Sequence, residues 1–171
     1  MAGVRRARRG DEVGIAAIEV ETWRVAYAGV LPDRTLVGMS VRRKAWLWAQ
    51  ELSHGADGVW VWESGRSQLL GFGHCCVSRM PDLACDGEVT TLYVHPDAQD
   101  QGIGRALLLA MFADLRGQGM RSALVWVLED NPARFFYERM GGKLAWRRPI
   151  QMGGGQVQAL GYYWNDLEAV T

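Results

Sequence analysis

The segment between residues 88 and 128 restricts the possible folds more than any other part of the chain. Residues 88–94 are mostly β-branched or aromatic, and His95, Pro96 and Asp97 follow them, which is typical of a strand that ends in a turn. A helix is predicted over 102–115 and a second, buried strand over 122–128. Because a strand, a crossover helix and a strand form a right-handed unit, we expect these two strands to be parallel.

The remaining elements are predicted from hydrophobic periodicity and from turn residues. Asp11 is expected to cap a first helix, whose apolar residues recur at helical steps up to Tyr27. Further helices are predicted over 41–52 and 132–140, and further strands over 4–8, 59–63, 69–77, 143–146 and 156–164, with a glycine loop at 153–155. The order predicts a mixed α/β sheet layered with helices, and the length of 171 residues suits a single domain over 1–171.

Composition and charge argue against several classes of partner. Nineteen basic and nineteen acidic side chains cancel, which favours neither nucleic acid nor an anionic membrane. A short arginine cluster at residues 5–9 is interpreted as a solvated strand edge. The chain has no apolar run of about eighteen residues, and no apolar segment follows the arginines as in a signal peptide. We therefore expect a cytoplasmic protein.

Three cysteines, Cys75, Cys76 and Cys85, lack the Cys-x-x-Cys spacing of metal and redox sites. Only three histidines accompany them, so no metal site is expected. Cys75 and Cys76 lie in an apolar run that favours a strand, which indicates core thiols, with catalysis as the alternative.

The turn between the strand at 88–94 and the following helix is the strongest candidate for a binding site. Gly102 and Gly104 remove side chains where the chain turns, so backbone N–H groups at the helix start can approach an anion such as a pyrophosphate. A tight turn with close helix packing explains the glycines equally well. A Walker loop is disfavoured because Arg105 and Ala106 stand where Lys-Ser/Thr is needed, and a dinucleotide motif lacks its third glycine at Leu107.

Three motifs together resemble the GNAT superfamily of N-acetyltransferases. Residues 92–96 followed by Gln99-x-x-Gly102-x-Gly104 resemble its acetyl-CoA-binding motif, and residues 131–141 resemble the next motif, in which an Asn precedes a helix bearing Phe-Tyr. Residues 23–32 resemble the first helices of many bacterial members. The likeness spans 4–164, with two departures: Asn131 stands six rather than seven residues before Tyr137, and Gly142 occupies a position that is often Phe.

The resemblance implies a fold and a cofactor. The fold is a mixed, mostly antiparallel sheet of about seven strands, with helices on both faces and a V-shaped opening between the two parallel strands. Acetyl-CoA, as the acetyl donor, would lie in that opening. The residues implied for its binding are Leu92, Tyr93, Val94, Gln99, Asp100, Gln101, Gly102, Ile103, Gly104, Arg105, Asn131 and Tyr137. For Arg105 a solvated helix position, and for Asn131 a helix-capping role, are the alternatives.

The chemistry requires a neutral amine, and an alkyl amine with a pKa of about 10.4 is almost wholly protonated at neutral pH. Glu88 is predicted to accept the proton, directly or through water, with a plain surface charge as the alternative. Alternation along the strand predicts one face for Glu88, Thr90, Leu92 and Val94. Tyr137 is implied as the hydroxyl that gives the departing thiolate a proton or a hydrogen bond, with a purely structural role as the alternative. A backbone N–H near Val94 would stabilise the oxyanion.

The acceptor is the least constrained part of the prediction. Trp23 and Tyr27, together with Trp60 and Trp62, are candidates for its walls, although aromatic residues at such spacing also occur in cores. Only a modest acidic rim is predicted from Asp82, Asp86 and Glu88, which favours a small-molecule amine over a strongly cationic one. A peptide or protein amine, a longer acyl donor and a homodimer stay open. The alternative function is a non-catalytic acyl-CoA-binding domain on the same fold.

Overall fold

The computed structural model describes residues 2–55, 57–152 and 154–170. Their strands form one seven-stranded sheet in the order β1-β2-β3-β4-β5-β7-β6. The strands are β1 Gly3–Arg6, β2 Val59–Glu63, β3 Leu69–Val77, β4 Gly87–Val94, β5 Ala123–Leu128, β6 Lys143–Met152 and β7 Gly155–Trp164. The helices are α1 Glu12–Ala26, α2 Asp33–Val37, α3 Val41–Ser53, α4 Ile103–Gly117 and α5 Ala133–Arg139.

Neighbouring strands are antiparallel except for β4 and β5, which are parallel. The predicted mixed, mostly antiparallel sheet of seven strands is confirmed. None of the helices within the described residues is both long and apolar enough to cross a membrane.

Helices cover both faces of the sheet because β3 and β4 supply apolar residues to both sides. Phe72 packs with Ile15 of α1 on one face, whereas Cys75 packs with Met111 of α4 on the other. Gly73 lets α4 approach closely, since a Cβ at this position would lie 2.6 Å from Cε of Met111. This packing places the first turn of α4 beside the end of β4.

The two parallel strands pair over only three residues each. Gly87 to Val89 pair with Ala123 to Val125, and beyond these pairs both strands continue without pairing to each other. The edges of β4 and β5 therefore separate into a V-shaped opening, and the predicted parallel pair with its opening is confirmed.

A register shift in β4 changes which side chains face the opening. His74 of β3 pairs with Thr91, and Cys75 pairs with Val89, so Thr90 is an extra residue in β4. Such a bulge shifts the alternation of side chains by one position. The residues after Thr90 therefore point to the opposite face of the sheet from the one that simple alternation from Glu88 would give.

The prediction that Glu88, Thr90, Leu92 and Val94 share one face is wrong for this reason. Leu92 and Val94 pack against the first turns of α4. Glu88 lies on the other face, where its carboxylate meets Arg79. The bulge thus separates the buried acid from the apolar end of the strand.

Three local predictions also need correction. The Asp11 carboxylate does not cap α1, because it accepts from both terminal nitrogens of Arg5 at 2.7 and 2.9 Å. Helix α2 was not predicted, since it has only five residues after Pro32. Strand β6 extends well past Trp146, and it accommodates Pro149 because β6 is an edge strand. Of the predicted glycine loop, residue 153 lies outside the described residues.

Candidate active site

A cavity of about 810 Å³ fills the opening between β4 and β5. Its walls come from the end of α1, the loop before α4, the start of α5 and the inner side of β6. Most of the predicted site residues meet there: Trp23, Tyr27, Leu92, Tyr93, Val94, Gln99, Asp100, Gly102, Ile103, Gly104, Arg105, Asn131 and Tyr137. Glu88 and Gln101 are not among the described residues that line it.

The loop from residue 99 to residue 104 presents the amino end of α4 to this cavity. Asp100 and Gly102 have positive φ angles of 60° and 79°, which turn the backbone sharply before Ile103. Gln99 fastens the loop by donating to the carbonyl oxygen of Val94 at 3.4 Å. The first N–H groups of a fifteen-residue helix therefore border the cavity with no acidic residue in the first turn, which suits an anion.

Basic side chains extend this anion-binding character. Arg105 and Arg139 line the main cavity and also a second cavity of about 350 Å³, which Lys143 borders. Within the described part of the chain, none of these three cations takes part in an ion pair. A phosphate-rich ligand can therefore pair with charges that the protein itself does not neutralise.

Tyr137 is a buried side chain whose ring is fixed on three sides. The ring packs against Phe136, Tyr162 and Trp164 with centroid separations of 5.3 to 6.3 Å. Tyr137 lines the cavity, and burial raises its pKa well above the usual value, so the hydroxyl stays protonated near neutral pH.

The departure at Gly142 has a steric cause next to Tyr137. A Cβ at Gly142 would lie 2.7 Å from the ring of Trp164 and 2.9 Å from the carbonyl oxygen of Tyr137. Trp164 fills this space instead, and its Nε1 donates to the carbonyl oxygen of Met140 at 2.9 Å. The large side chain is thus supplied by β7 rather than by the residue after Gly141.

Polar aromatic side chains form the wall opposite α5. Trp23 Nε1 donates to the hydroxyl of Tyr93 at 3.1 Å. Burial raises the pKa of Tyr27, and hydrogen bonding to Asn131 and Tyr93 opposes that rise. Asn131 Oδ1 also accepts from the N–H of Ala133 at 2.9 Å, so the alternative role of bonding the first turn of α5 is present.

Glu88 lies away from this group. Its side chain is 2% exposed, and its two oxygens accept from Nε and Nη2 of Arg79 at 3.1 and 2.7 Å. The backbone N–H of Arg79 donates to the same carboxylate at 3.2 Å. The structure therefore does not bring Glu88 together with Tyr137 in the cavity.

Sequence reasoning missed the pair formed by His74 and Thr90. Thr90 lines the cavity, and its Oγ1 lies 2.7 Å from Nδ1 of His74. Burial lowers the pKa of His74, so the imidazole is neutral near pH 7. The pairing depends on the register between β3 and β4, which no local pattern reveals.

The acceptor end of the cavity is apolar rather than acidic. Val25, Leu128, Ile150 and Met152 line it beside Trp23 and Tyr27. The one carboxylate among the described lining residues is Asp100, which belongs to the loop at the other end.

Two further expectations about this end are wrong. The predicted acidic rim is absent from the described lining residues, since Asp86 instead accepts from the backbone N–H groups of Arg121 and Ser122. Trp60 and Trp62 do not line the cavity, because both pack against α4.

Comparison with known proteins gives a consistent result. A family model described as an acetyltransferase (GNAT) domain matches residues 55–141. The uncharacterized N-acetyltransferase YuaI of Bacillus subtilis is 29% identical over 99% of this chain and 96% of its own length. The probable N-acetyltransferase Rv2775 of Mycobacterium tuberculosis is 30% identical over 93% of this chain and 91% of its own length. A mycothiol acetyltransferase of Rhodococcus opacus is 30% identical over 81% of this chain, which spans only 51% of that relative.

Solved structures share the fold. The PaiA N-acetyltransferase of Thermoplasma acidophilum, in complex with coenzyme A, has a TM-score of 0.72 at 20% identity, with 93% of this chain and 98% of that chain covered. YncA of Salmonella typhimurium, with acetyl-CoA, has a TM-score of 0.70 at 19% identity, with 96% of this chain and 94% of that chain covered.

Proposed function

Because the chain belongs to the GNAT acetyltransferase family and uses acetyl-CoA as its donor, we propose that it acetylates the primary amine of a small molecule by direct attack in a ternary complex. One observation carries the proposal. A single cavity joins the amino end of α4, which suits a pyrophosphate, to an aromatic and apolar chamber between α1 and β6. Donor and acceptor can therefore occupy one continuous space, as direct transfer requires.

The cofactor's position follows from groups that the fold leaves unused. The pyrophosphate would bind the N–H groups between Gln99 and Arg105, with the guanidinium of Arg105 as a charge-assisted partner. The pantetheine arm would lie along the part of β4 that does not pair with β5, residues 90–94. The acetyl group would then reach the region between Val94 and Tyr137, where a backbone N–H stabilises the oxyanion.

Tyr137 would act when the tetrahedral intermediate collapses. The amine nitrogen forms a bond to the acetyl carbon, the carbon–sulfur bond breaks, and the electron pair remains on sulfur as a thiolate. The Tyr137 hydroxyl would donate its proton to that sulfur, and the phenolate left behind would regain a proton from solvent. The rigid aromatic packing of this ring keeps the donor in place without a conformational change.

The proton lost by the amine has two candidate acceptors on the same face of the sheet. Neutral His74 can receive it through Thr90, whose hydroxyl would take one proton from the amine as it passes its own to Nδ1. Glu88 stays a prediction in its water-mediated form, because Arg79 occupies both of its oxygens. The direct hydrogen bond from a cavity-lining residue favours His74.

A small-molecule acceptor is supported by the chamber and by one relative. The chamber lies between the end of α1 and the inner side of β6, among side chains such as Trp23, Ile150 and Met152. The Rhodococcus opacus relative is named a mycothiol acetyltransferase, and this name points to a small-molecule acceptor. A protein N-terminus or lysine is the competing acceptor, and the same assay tests it.

The test is release of coenzyme A thiol from acetyl-CoA with a panel of small amines and amino-terminal peptides, with acetylated products identified by mass spectrometry. We expect turnover with small amines and acetyl transfer to their nitrogen. Turnover confined to peptides would contradict the acceptor class. Binding of acetyl-CoA without transfer to any member of the panel would contradict the proposed function.

A further inference from the structure

The inward-facing row of β6 contains one charged residue, Arg148. Exposure alternates along the strand, so that Trp146, Arg148, Ile150 and Met152 turn inward while their neighbours are exposed. Ile150 and Met152 line the cavity. Ala159 of β7, which is the strand partner of Arg148, lines it as well. Arg148 is not among the described lining residues, but it is the next inward-facing residue of this row, beside Ile150.

The guanidinium of Arg148 lies over a wall of the chamber. Its Cζ is 4.1 Å from the ring centroid of Trp126, which lines the cavity. This cation–π contact holds the guanidinium beside an indole that lines the chamber. Gly161 makes room for this indole, because a Cβ there would lie 3.1 Å from the Trp126 ring.

Few groups within the protein satisfy this guanidinium. Within the described part of the chain, its one hydrogen bond goes from Nη1 to the thioether sulfur of Met80 at 3.1 Å, and a thioether is a weak acceptor. Nε of Arg148 and Nε1 of Trp126 are both buried without a hydrogen-bond partner in residues 2–55, 57–152 and 154–170. Among the described residues, no carboxylate lies within ion-pair distance of Arg148.

The surrounding charges leave this end of the chamber positive. Glu88 lies on this face, but Arg79 already binds its carboxylate through two nitrogens. His74, which also lies on this face, is neutral near pH 7 because burial lowers its pKa. The charge of Arg148 therefore has no ion-pair partner among the residues that the structure describes, which disfavours a polycationic acceptor.

We infer that the acceptor is an amine that also carries a carboxylate, such as an apolar α-amino acid, and that Arg148 binds this carboxylate. The inference deepens the proposed function and rests on it. A guanidinium presents its N–H groups as a planar fork that matches a carboxylate. The apolar side chain of the acceptor would face Val25, Ile150 and Met152.

The test compares matched acceptors, for example L-methionine and L-phenylalanine against their primary amides. Loss of the negative charge lowers the pKa of the neighbouring amine, so the amide has more neutral amine at a given pH. A preference for the free acid therefore cannot come from amine ionisation. We expect the wild-type kcat/KM to favour the free acid.

The variant Arg148→Gln should lose about 10- to 100-fold in kcat/KM for the free acids and little for the amides, as expected for one charge-assisted pair. The KM for acetyl-CoA should not change, and Arg148→Lys should restore part of the loss because it keeps the charge without the fork. Arg147→Gln is the matched control, since Arg147 lies on the exposed face of β6 and pairs with Glu129. This variant should not change kcat/KM for the free acids or for the amides.

Two results would overturn the inference while the proposed function stands. One is equal use of acids and amides by the wild type, and the other is an equal loss on both in Arg148→Gln. If neither series is acetylated while small amines without a carboxylate are, the inference also fails and the proposed function stands. If no amine of any kind is acetylated, the proposed function fails together with the inference.

Discussion

Thr90 Oγ1 lies 2.7 Å from Nδ1 of His74, and this contact joins the cavity to a neutral imidazole on the adjacent strand. It exists because β4 contains one residue more than β3 at this point, so that Thr90 and Thr91 both lie opposite His74. Bulges often redirect a side chain near a functional site. Here the bulge places a hydroxyl, rather than the Glu88 carboxylate, at the cavity wall.

The proton route predicts a distinct pH dependence. If neutral His74 accepts the proton, activity falls as pH drops through the folded pKa of His74, which burial places below its usual value of about 6.5. The variant His74→Gln should lower kcat by about 100-fold and should abolish this acidic limb. Rates of wild type, His74→Gln and Glu88→Gln across pH 5 to about 9 measure the effect. An acidic limb that disappears only in Glu88→Gln would assign the proton to Glu88 instead.

His74 also predicts a change of stability with pH. Its pKa is lower in the folded protein than in the unfolded chain, because burial disfavours the charged imidazole. Protonation therefore favours unfolding, so the free energy of unfolding should fall as pH drops below about 6.5. Urea denaturation of wild type and His74→Gln at pH 5 and 8 checks this, and the variant should lose less stability on acidification. An identical loss in both proteins would show that other groups cause it.

Tyr137→Phe tests the proposed proton donor. Removal of the hydroxyl should lower kcat by about 100-fold, with little change in the KM for acetyl-CoA, because the ring and its packing remain. Steady-state kinetics with a good acceptor provides the measurement. Tyr163→Phe is the control, since Tyr163 is a half-buried tyrosine of β7 outside the main cavity. Equal rates in wild type and Tyr137→Phe would leave Tyr137 with a packing role only.

Gly102→Ala tests the anion-binding loop. Gly102 has a φ of 79°, and a Cβ there meets nothing within 4 Å, so the substitution costs backbone strain of about 1 kcal/mol without a clash. We expect lower stability and weaker acetyl-CoA binding in calorimetry, as the N–H groups at the start of α4 move. Gly117→Ala, at the other end of α4 and also in open space, should bind acetyl-CoA normally. Weaker acetyl-CoA binding in both variants would show that the effect does not come from the loop.

Cys75 should be unreactive in the folded protein. Burial raises the pKa of its thiol to about 12, so almost no nucleophilic thiolate forms at neutral pH. Alkylation with iodoacetamide, followed by peptide mass spectrometry, should modify Cys75 only after unfolding. Rapid native labelling of Cys75, with loss of activity that acetyl-CoA prevents, would revive the catalytic alternative.

The sequence indicates those features that depend on neighbours along the chain. The strand at 88–94, the glycine turn and the helix from Ile103 form one continuous pattern, and the cofactor-binding residues predicted in this segment line the cavity except Gln101. Trp23 and Tyr27 follow from helical spacing in the same way, and both line the acceptor end.

Features that depend on distant residues were not predictable from local patterns. The partner of Glu88 is Arg79, nine residues away in an irregular segment, and Glu88 does not line the cavity. The stacking of Arg148 on Trp126 requires the order β5-β7-β6, which places two segments far apart in sequence on one face. The bulge at Thr90 is defined by how β4 pairs with β3, so it cannot be recognised from the sequence of either strand alone.

Direct attack in a ternary complex is tested most directly by a single-turnover experiment with acetyl-CoA, monitored by intact-protein and small-molecule mass spectrometry. Enzyme mixed with acetyl-CoA alone should remain unmodified, and addition of a small amine should yield one acetylated amine for each coenzyme A released. An acetylated protein formed before the amine is added, and consumed by it, would contradict direct attack. Release of coenzyme A without any acetylated amine would contradict the transfer itself.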